Sequence, residues 1–283
     1  PSVVNFDVEN DKCFHPQNFS NLFEGPMSMA KGLAQSVNIT AVKALYLAGM
    51  DNVLKTLKDF GINTLNEKSR YGLTLVLGGG EVRLSELVNA YSTLSQGGIF
   101  HKQSFILEVK DASGKVLQKY KDEAKQVMDP QSPRLINQIL SDQNLREGLF
   151  HSNVGLTVFP GYEVALKTGT TGDYRDAWAA GYTPSLAIGI WAGNNDNTPM
   201  ERRGGSILAA VPIWSAFLKE ALPHFQPESF ERPESPFVSS KPMLNGNYIY
   251  NPSLGVATYP QVHSILHYVK RSDPLGSIPS DPY

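Results

Sequence analysis

Cysteine is nearly missing from this chain: Cys13 is the only one among 283 residues. No intrachain disulfide can form, and no cluster of metal ligands stands out along the sequence. Long apolar runs are missing too. None approaches the roughly 18 residues a membrane-crossing helix needs, and Pro1-Ser-Val-Val-Asn5 lacks the basic start and apolar core of a secretory leader. Basic excess is absent. With 25 Lys and Arg against 27 Asp and Glu the net charge is −2, which gives no electrostatic reason to expect nucleic acid. The glycines at 78–80 lack the spacing and the lysine of a phosphate-binding loop, and read as a tight connection. What remains is 41% hydrophobic and 18% charged, enough to bury a sizeable core in one large domain, or in one domain plus an appendage.

The stretch that organises the rest is Val164-Ala-Leu-Lys-Thr-Gly-Thr-Thr171, followed by a turn at Gly172-Asp173. Its first half reads as a buried strand and its second as the same strand opening onto a cleft. Period-two alternation puts Thr168 and Thr170 on one face and Lys167 on the other. Gly169 lets another backbone or a ligand approach closely. Two hydroxyls beside a cation, on a strand edge with free N–H groups, suit a carboxylate and a developing oxyanion. A lone Lys-Thr-Gly matches by chance too often to carry a function, so the surrounding chain has to decide.

In chain order, residues 1–27 read as irregular. Ser28 reads as the N-cap of a short helix over Met29–Gln35, which ends at Ser36-Val-Asn38. A second helix is expected from about Thr40, with Val42, Leu45, Ala48 and Gly49 on one stripe, and a third over Val53–Phe60. Arg83–Gln96 is an amphipathic helix stopped by Gly97-Gly98. A hairpin pairs Phe105–Lys110 with Val116–Tyr120, and a helix runs from Ser132 to Leu145. Glu163–Thr170, Asp176–Tyr182 and Leu186–Ala192 form an antiparallel meander. Ile207–Leu222 is a long apolar helix in which Pro212 imposes a kink or a start near Val211. Prolines recur from Pro223, so 223–243 reads as a linker and 244–283 as a small appendage with one weak strand at Ser264–Val269.

Lys167-Thr-Gly-Thr-Thr171, Asp176-Ala-Trp178, Gly181-Tyr-Thr-Pro184, Gly189-Ile-Trp-Ala-Gly193 and Ala209-Ala-Val-Pro-Ile-Trp214 together resemble the transpeptidase domain of class A penicillin-binding proteins. Gly25-Pro26, Ala34-Gln-Ser-Val-Asn38, Leu77-Gly-Gly79 and Leu87-Val-Asn-Ala-Tyr-Ser92 agree with it. The superfamily is marked by Ser-x-x-Lys, Ser-x-Asn and Lys-Thr-Gly. The resemblance implies an α/β (α+β) fold of the penicillin-binding and serine β-lactamase type: an antiparallel sheet with helices on both faces, plus a helical lobe carrying Ser36–Asn38. It implies a serine acyl-enzyme D,D-transpeptidase that cross-links peptidoglycan stem peptides and is acylated by β-lactams; the sequence itself suggests no cofactor and no metal. Ser36 would relay a proton to the leaving amine, Asn38 would bond the substrate amide and the catalytic lysine, and Lys167 would keep the local field positive. Thr168 and Thr170 would bind the terminal carboxylate, the Thr170 N–H would form half of the oxyanion hole, and Gly169 would keep the strand edge open.

One motif departs from the family pattern. Ser28-Met-Ala-Lys31 has the Ser-x-x-Lys form, but it stands eight residues before Ser36, about 12 Å along one helix axis. The family's two motifs converge from separate elements. Ser28 is therefore read as a cap and Lys31 as a surface residue. The expectation is that residues 1–222 are the C-terminal portion of the domain, with the nucleophile lost before residue 1. The resemblance further implies a parent protein with a membrane anchor and a glycosyltransferase domain, acting outside the cytoplasm. A D,D-carboxypeptidase or β-lactamase-like hydrolase is the first alternative, and a non-catalytic wall-binding or sensor module the second.

Overall fold

The structure is a computed structural model that describes residues 16–25, 27–201 and 205–234 and the pairs 250–251 and 256–257. A helical lobe comes first: α1 (Met29–Ala34), α2 (Asn38–Ala48) and α3 (Met50–Asp59), then 3₁₀ turns at Lys68–Arg70 and Leu73–Leu77. The Ser28 side chain caps α1 by accepting the Lys31 N–H. Val42 and Leu45 are the buried stripe of α2, and Leu45 packs with Tyr71 and Leu75. Next come α4 (Leu84–Ser95), β1 (Ile99–Phe100), the hairpin β2 (Glu108–Lys110) and β3 (Val116–Lys119), and β4 (Lys125–Gln126), which pairs with β1.

The sequence expects one helix from Ser132 to Leu145, but the chain forms two, α5 (Gln131–Ser141) and α6 (Gln143–Phe150). The break is Asp142. Its backbone is extended, and its carboxylate accepts the N–H groups of Asn144 and Leu145 at 2.8 and 3.0 Å, so it starts a new helix.

The meander is β5 (Ala165–Thr170), β6 (Asp176–Tyr182) and β7 (Ala187–Gly193), in the order β5-β6-β7, all antiparallel. β5 is thus an edge strand. Ala165 faces Tyr182 and Thr170 faces Ala177 across the first pair. Helix α7 (Ala210–Ala221) begins just before Pro212, where a missing N–H removes no helical bond. Leu166, Ala177 and Ala179 pack against its Val211, Trp214 and Leu218 to form the main core. Gly181 makes this packing fit, since a Cβ there would stand 2.4 Å from the Trp214 ring. On the opposite face, Gly189 lets Leu84 and Val88 of α4 sit directly on the sheet. There the buried Tyr182 hydroxyl donates to Asn137 of α5 at 2.8 Å, and Asn137 donates to the Leu94 carbonyl of α4 at 3.0 Å. The sheet therefore carries helices on both faces, as expected.

Part of the stretch read as a linker is anchored. Phe230 is buried against Tyr182, with ring centroids 5.5 Å apart. The Glu163 carboxylate receives the Phe230 N–H at 3.2 Å and the Arg232 guanidinium at 2.9 and 3.2 Å. Burial of the ring, worth about 1.5–3 kcal/mol, and these bonds together hold this strap down. In the region read as the appendage, β8 (Tyr250–Asn251) pairs with β9 (Val256–Ala257). The weak strand expected at Ser264–Val269 lies outside the described residues.

Candidate active site

Ser36 lies just past the end of α1 with φ 56, in the left-handed region. The Ser36 N–H donates to the Leu33 carbonyl at 3.1 Å and the Val37 N–H to the Gly32 carbonyl at 2.9 Å, the bond pair of a Schellman end. Glycine is the usual residue at that position, and a side chain there costs about 1–2 kcal/mol. Strain of this kind gathers where a side chain has a task.

The Ser36 hydroxyl meets a side chain from a distant part of the chain. Lys167 Nζ donates to Ser36 Oγ at 2.7 Å and to the Thr168 carbonyl at 2.7 Å. These two side chains are 131 positions apart in the chain. α1 sets one, and the edge strand β5 sets the other. Burial without a carboxylate partner lowers the Lys167 pKa from 10.5 to about 8. At pH 7 the ammonium still outnumbers the amine by about ten to one.

Asn38 opens α2, and its side-chain amide donates to the Gln17 carbonyl at 2.9 Å. The Asn18 side chain accepts the Ile39 N–H, so residues 17 and 18 lie over the start of α2. Thr168 is buried, 9% exposed, on the face that looks toward α7. Thr170 shares that face and donates its hydroxyl to Ser206 Oγ at 3.1 Å while accepting the Ser206 N–H at 3.0 Å. Gly169 lies opposite Trp178, and a Cβ on it would sit 3.7 Å from that side chain. The Val164 carbonyl is bonded on the outer edge of β5 by Arg146, and the Thr168 carbonyl by Lys167. By the two-residue alternation of strand groups, the Thr170 N–H also faces that open edge. The turn after Thr170 is fixed by Asp176. Its carboxylate accepts the Thr171 hydroxyl at 2.7 Å and the Trp191 indole N–H at 2.8 Å. Gly78 lies beside this turn, with a Cβ position 3.8 Å from Thr171.

The structure thus joins Ser36 to Lys167 directly and gathers Thr168, Gly169 and Thr170 on the same strand. It ties Asn38 to Gln17. Ser28 and Lys31 are held elsewhere: the Ser28 hydroxyl caps α1, and Lys31 pairs with Glu24 at 2.8 Å. Sequence reasoning did not single out Gln17, Ser206 or Arg146. Gly205-Ser206, just ahead of the apolar helix, carried a faint signal; Arg146, between Leu145 and Glu147, carried none.

An edge strand ending in Lys-Thr-Gly-Thr, with its lysine on a serine from a separate helical lobe, is the arrangement the sequence resemblance led one to expect. The family model described as the penicillin binding protein transpeptidase domain matches residues 5–217. The chain belongs to that family. Penicillin-binding protein 2D of Bacillus subtilis is 29% identical over 277 residues, covering 94% of this chain and 37% of that protein. Penicillin-binding protein 1A of Haemophilus influenzae, 23% identical, superposes with a TM-score of 0.72, covering 88% of this chain and 42% of that one. The PonA1 protein of Mycobacterium tuberculosis in complex with penicillin V is 26% identical, with a TM-score of 0.66, covering 77% of this chain and 62% of that one. The chain spans roughly a third of the length of the curated relatives it matches.

Proposed function

We propose that this chain is part of a peptidoglycan D,D-transpeptidase, working by a serine acyl-enzyme mechanism on D-Ala–D-Ala stem peptides and acylated by β-lactams. The observation that carries this reading is the 2.7 Å contact from Lys167 Nζ to Ser36 Oγ. An ammonium donating to a hydroxyl leaves that hydroxyl's own proton free to point outward. As the scissile C–N bond breaks, Ser36 gives its proton to the leaving amine and takes one from Lys167. The charge on Lys167 favours the anionic substrate end. The Thr170 N–H on the open edge supplies one oxyanion donor, which is worth roughly 3 kcal/mol of barrier in comparable sites. Thr170, its hydroxyl aligned by Ser206, and Thr168 flank the carboxylate site. Asn38 bonds the substrate amide.

The acylated serine is proposed to stand on a Ser-x-x-Lys outside these 283 residues, because Lys31, the base Ser28 would need, pairs with Glu24, and Ser28 caps the same short helix that leads into Ser36. The whole protein would act outside the cytoplasm, carried by a membrane anchor and joined to a glycosyltransferase domain. The test uses a fluorescent penicillin read by intact mass. The 283-residue chain is expected to take no adduct. The whole protein is expected to acylate, and to do so about 10²–10⁴ times more slowly as S36A or K167M. An adduct on Ser28 would overturn the placement of the nucleophile. Full acylation in K167M would overturn the proton relay. Rapid turnover of the adduct would indicate a hydrolase, and a whole protein inert to penicillin a sensor module.

A further inference from the structure

We propose that Arg146 is a positioning residue: with the Leu145 carbonyl beside it, it sets the separation between Ser36 and Lys167. The proposal rests on the proton-relay reading of that pair.

Arg146 lies on the first turns of α6 and is 3% exposed. Among the described residues no carboxylate stands within ion-pair distance of its guanidinium, and Asp142 acts on it only through its field. The guanidinium donates to three main-chain carbonyls from three segments: Leu140 in α5 at 2.7 Å, Val164 at the root of β5 at 2.8 Å, and Thr157 at 3.5 Å. Asp142, the acid one turn earlier, caps α6 instead. A buried cation whose hydrogen bonds go only to backbone carbonyls, with its Nε left without one, is an expensive way to join segments that apolar packing could join. What distinguishes the site is where the joined segments lead.

Val164 is three residues before Lys167 on the edge strand. β6 holds the inner side of β5 by its ladder, while Arg146 holds the outer side at its root. The preceding residue is fixed as well, since the Glu163 carboxylate accepts the Ser141 hydroxyl at 2.8 Å and the Arg232 guanidinium. On the other half of the site, Gln35 immediately precedes Ser36, and its side-chain amide donates to the Leu145 carbonyl at 3.2 Å. Gly148, one turn along α6, gives that amide its room: a Cβ there would stand 2.5 Å from Gln35 Nε2. Adjacent residues of one short helix, Leu145 and Arg146, thus hold the neighbour of Ser36 and the root of the Lys167 strand. Their relative placement is transmitted to a contact that works only at hydrogen-bond distance.

A displacement near 1 Å at such a contact can lower rate about 100-fold. R146M removes the fork at nearly constant volume. In the whole protein it is expected to slow penicillin acylation about 100-fold with little change in the non-covalent binding constant. In the 283-residue chain, the Lys167 ¹³Cε resonance, assigned by its loss in K167M, is expected to titrate higher than in wild type as the lysine becomes more solvated. A merely structural arginine would lower Tm and leave both readouts unchanged in the folded protein, and that result would overturn the proposal. Should R146M not fold, R146K keeps the cation and loses the fork; its expected loss is about 10-fold, and a wild-type rate and titration would overturn the proposal equally. If the wild-type whole protein is not acylated, the functional reading fails, while the Lys167 titration still decides the role of Arg146.

Discussion

Replacing Lys167 by methionine tests the electrostatics of the site in the 283-residue chain, with no substrate needed. The folded lysine titrates near 8 rather than 10.5 because burial strips water from its ammonium. That difference corresponds to about 3 kcal/mol of unfavourable free energy when the group is charged. The sign follows from proton counting. Below pH 8 the folded and unfolded chains both hold the proton, so the whole cost is present. Between pH 8 and 10.5 the folded chain releases a proton that the unfolded chain keeps, so stability rises with pH, by up to about 1.4 kcal/mol per unit. K167M has no such group. Whatever offset the lost bonds to Ser36 and Thr168 introduce, the stability of wild type relative to K167M is expected to rise by about 2 kcal/mol between pH 7 and pH 9.5. Other lysines and tyrosines titrate in both proteins and cancel. Urea unfolding of both chains at the two pH values, with linear extrapolation, measures the change. A difference that stays constant with pH, or falls, would refute the claim that Lys167 is held as a desolvated cation.

Further changes test the packing and the caps. S36G should be more stable than S36A by roughly 0.5–1 kcal/mol, because both lack the hydroxyl and only alanine keeps the left-handed strain; equal denaturation midpoints would count against strain at this position. In G181A the new methyl meets the Trp214 ring and the Ala165 carbonyl, so a loss of about 1–3 kcal/mol is expected in thermal unfolding. F230A should lower stability by about 3–5 kcal/mol and make residues 223–234 a site of proteolytic nicking, and an unchanged digestion pattern would show that the strap is held by its ion pairs alone. S28A should cost about 1 kcal/mol as a lost cap and leave penicillin acylation of the whole protein at the wild-type rate.

Much of the frame was readable from local rules. The apolar stripe and paired glycines around Arg83–Gln96 gave α4 to within a residue at each end, since a half-buried helix must repeat its apolar side chains. The strand Asp176–Tyr182 was legible because its ends are turns and its interior is small and apolar. The break at Asp142 was missed for a physical reason: the same side chain can sit on a helix surface or start a new helix, and only the packing of α5 and α6 chose between them. The strap at Phe230 was missed because proline spacing reports local stiffness and says nothing of what one aromatic ring finds to cover it.

The sequence by itself determined the residue types of the site and their order: a serine with an asparagine two positions on, and far downstream a lysine, two threonines and a glycine on one strand. Those are set by chemistry and by the two-residue period of a strand. Tertiary structure alone decided that Ser36 takes a left-handed backbone, that Lys167 Nζ lies 2.7 Å from its hydroxyl, and that burial brings the lysine near 8. It also decided that Ser206 aligns Thr170 and that Arg146 grips the root of β5. Each of these depends on segments brought together from distant parts of the chain. The field, the water content and the hydrogen-bond distance at a point in space are properties of that assembly, and no local pattern encodes them.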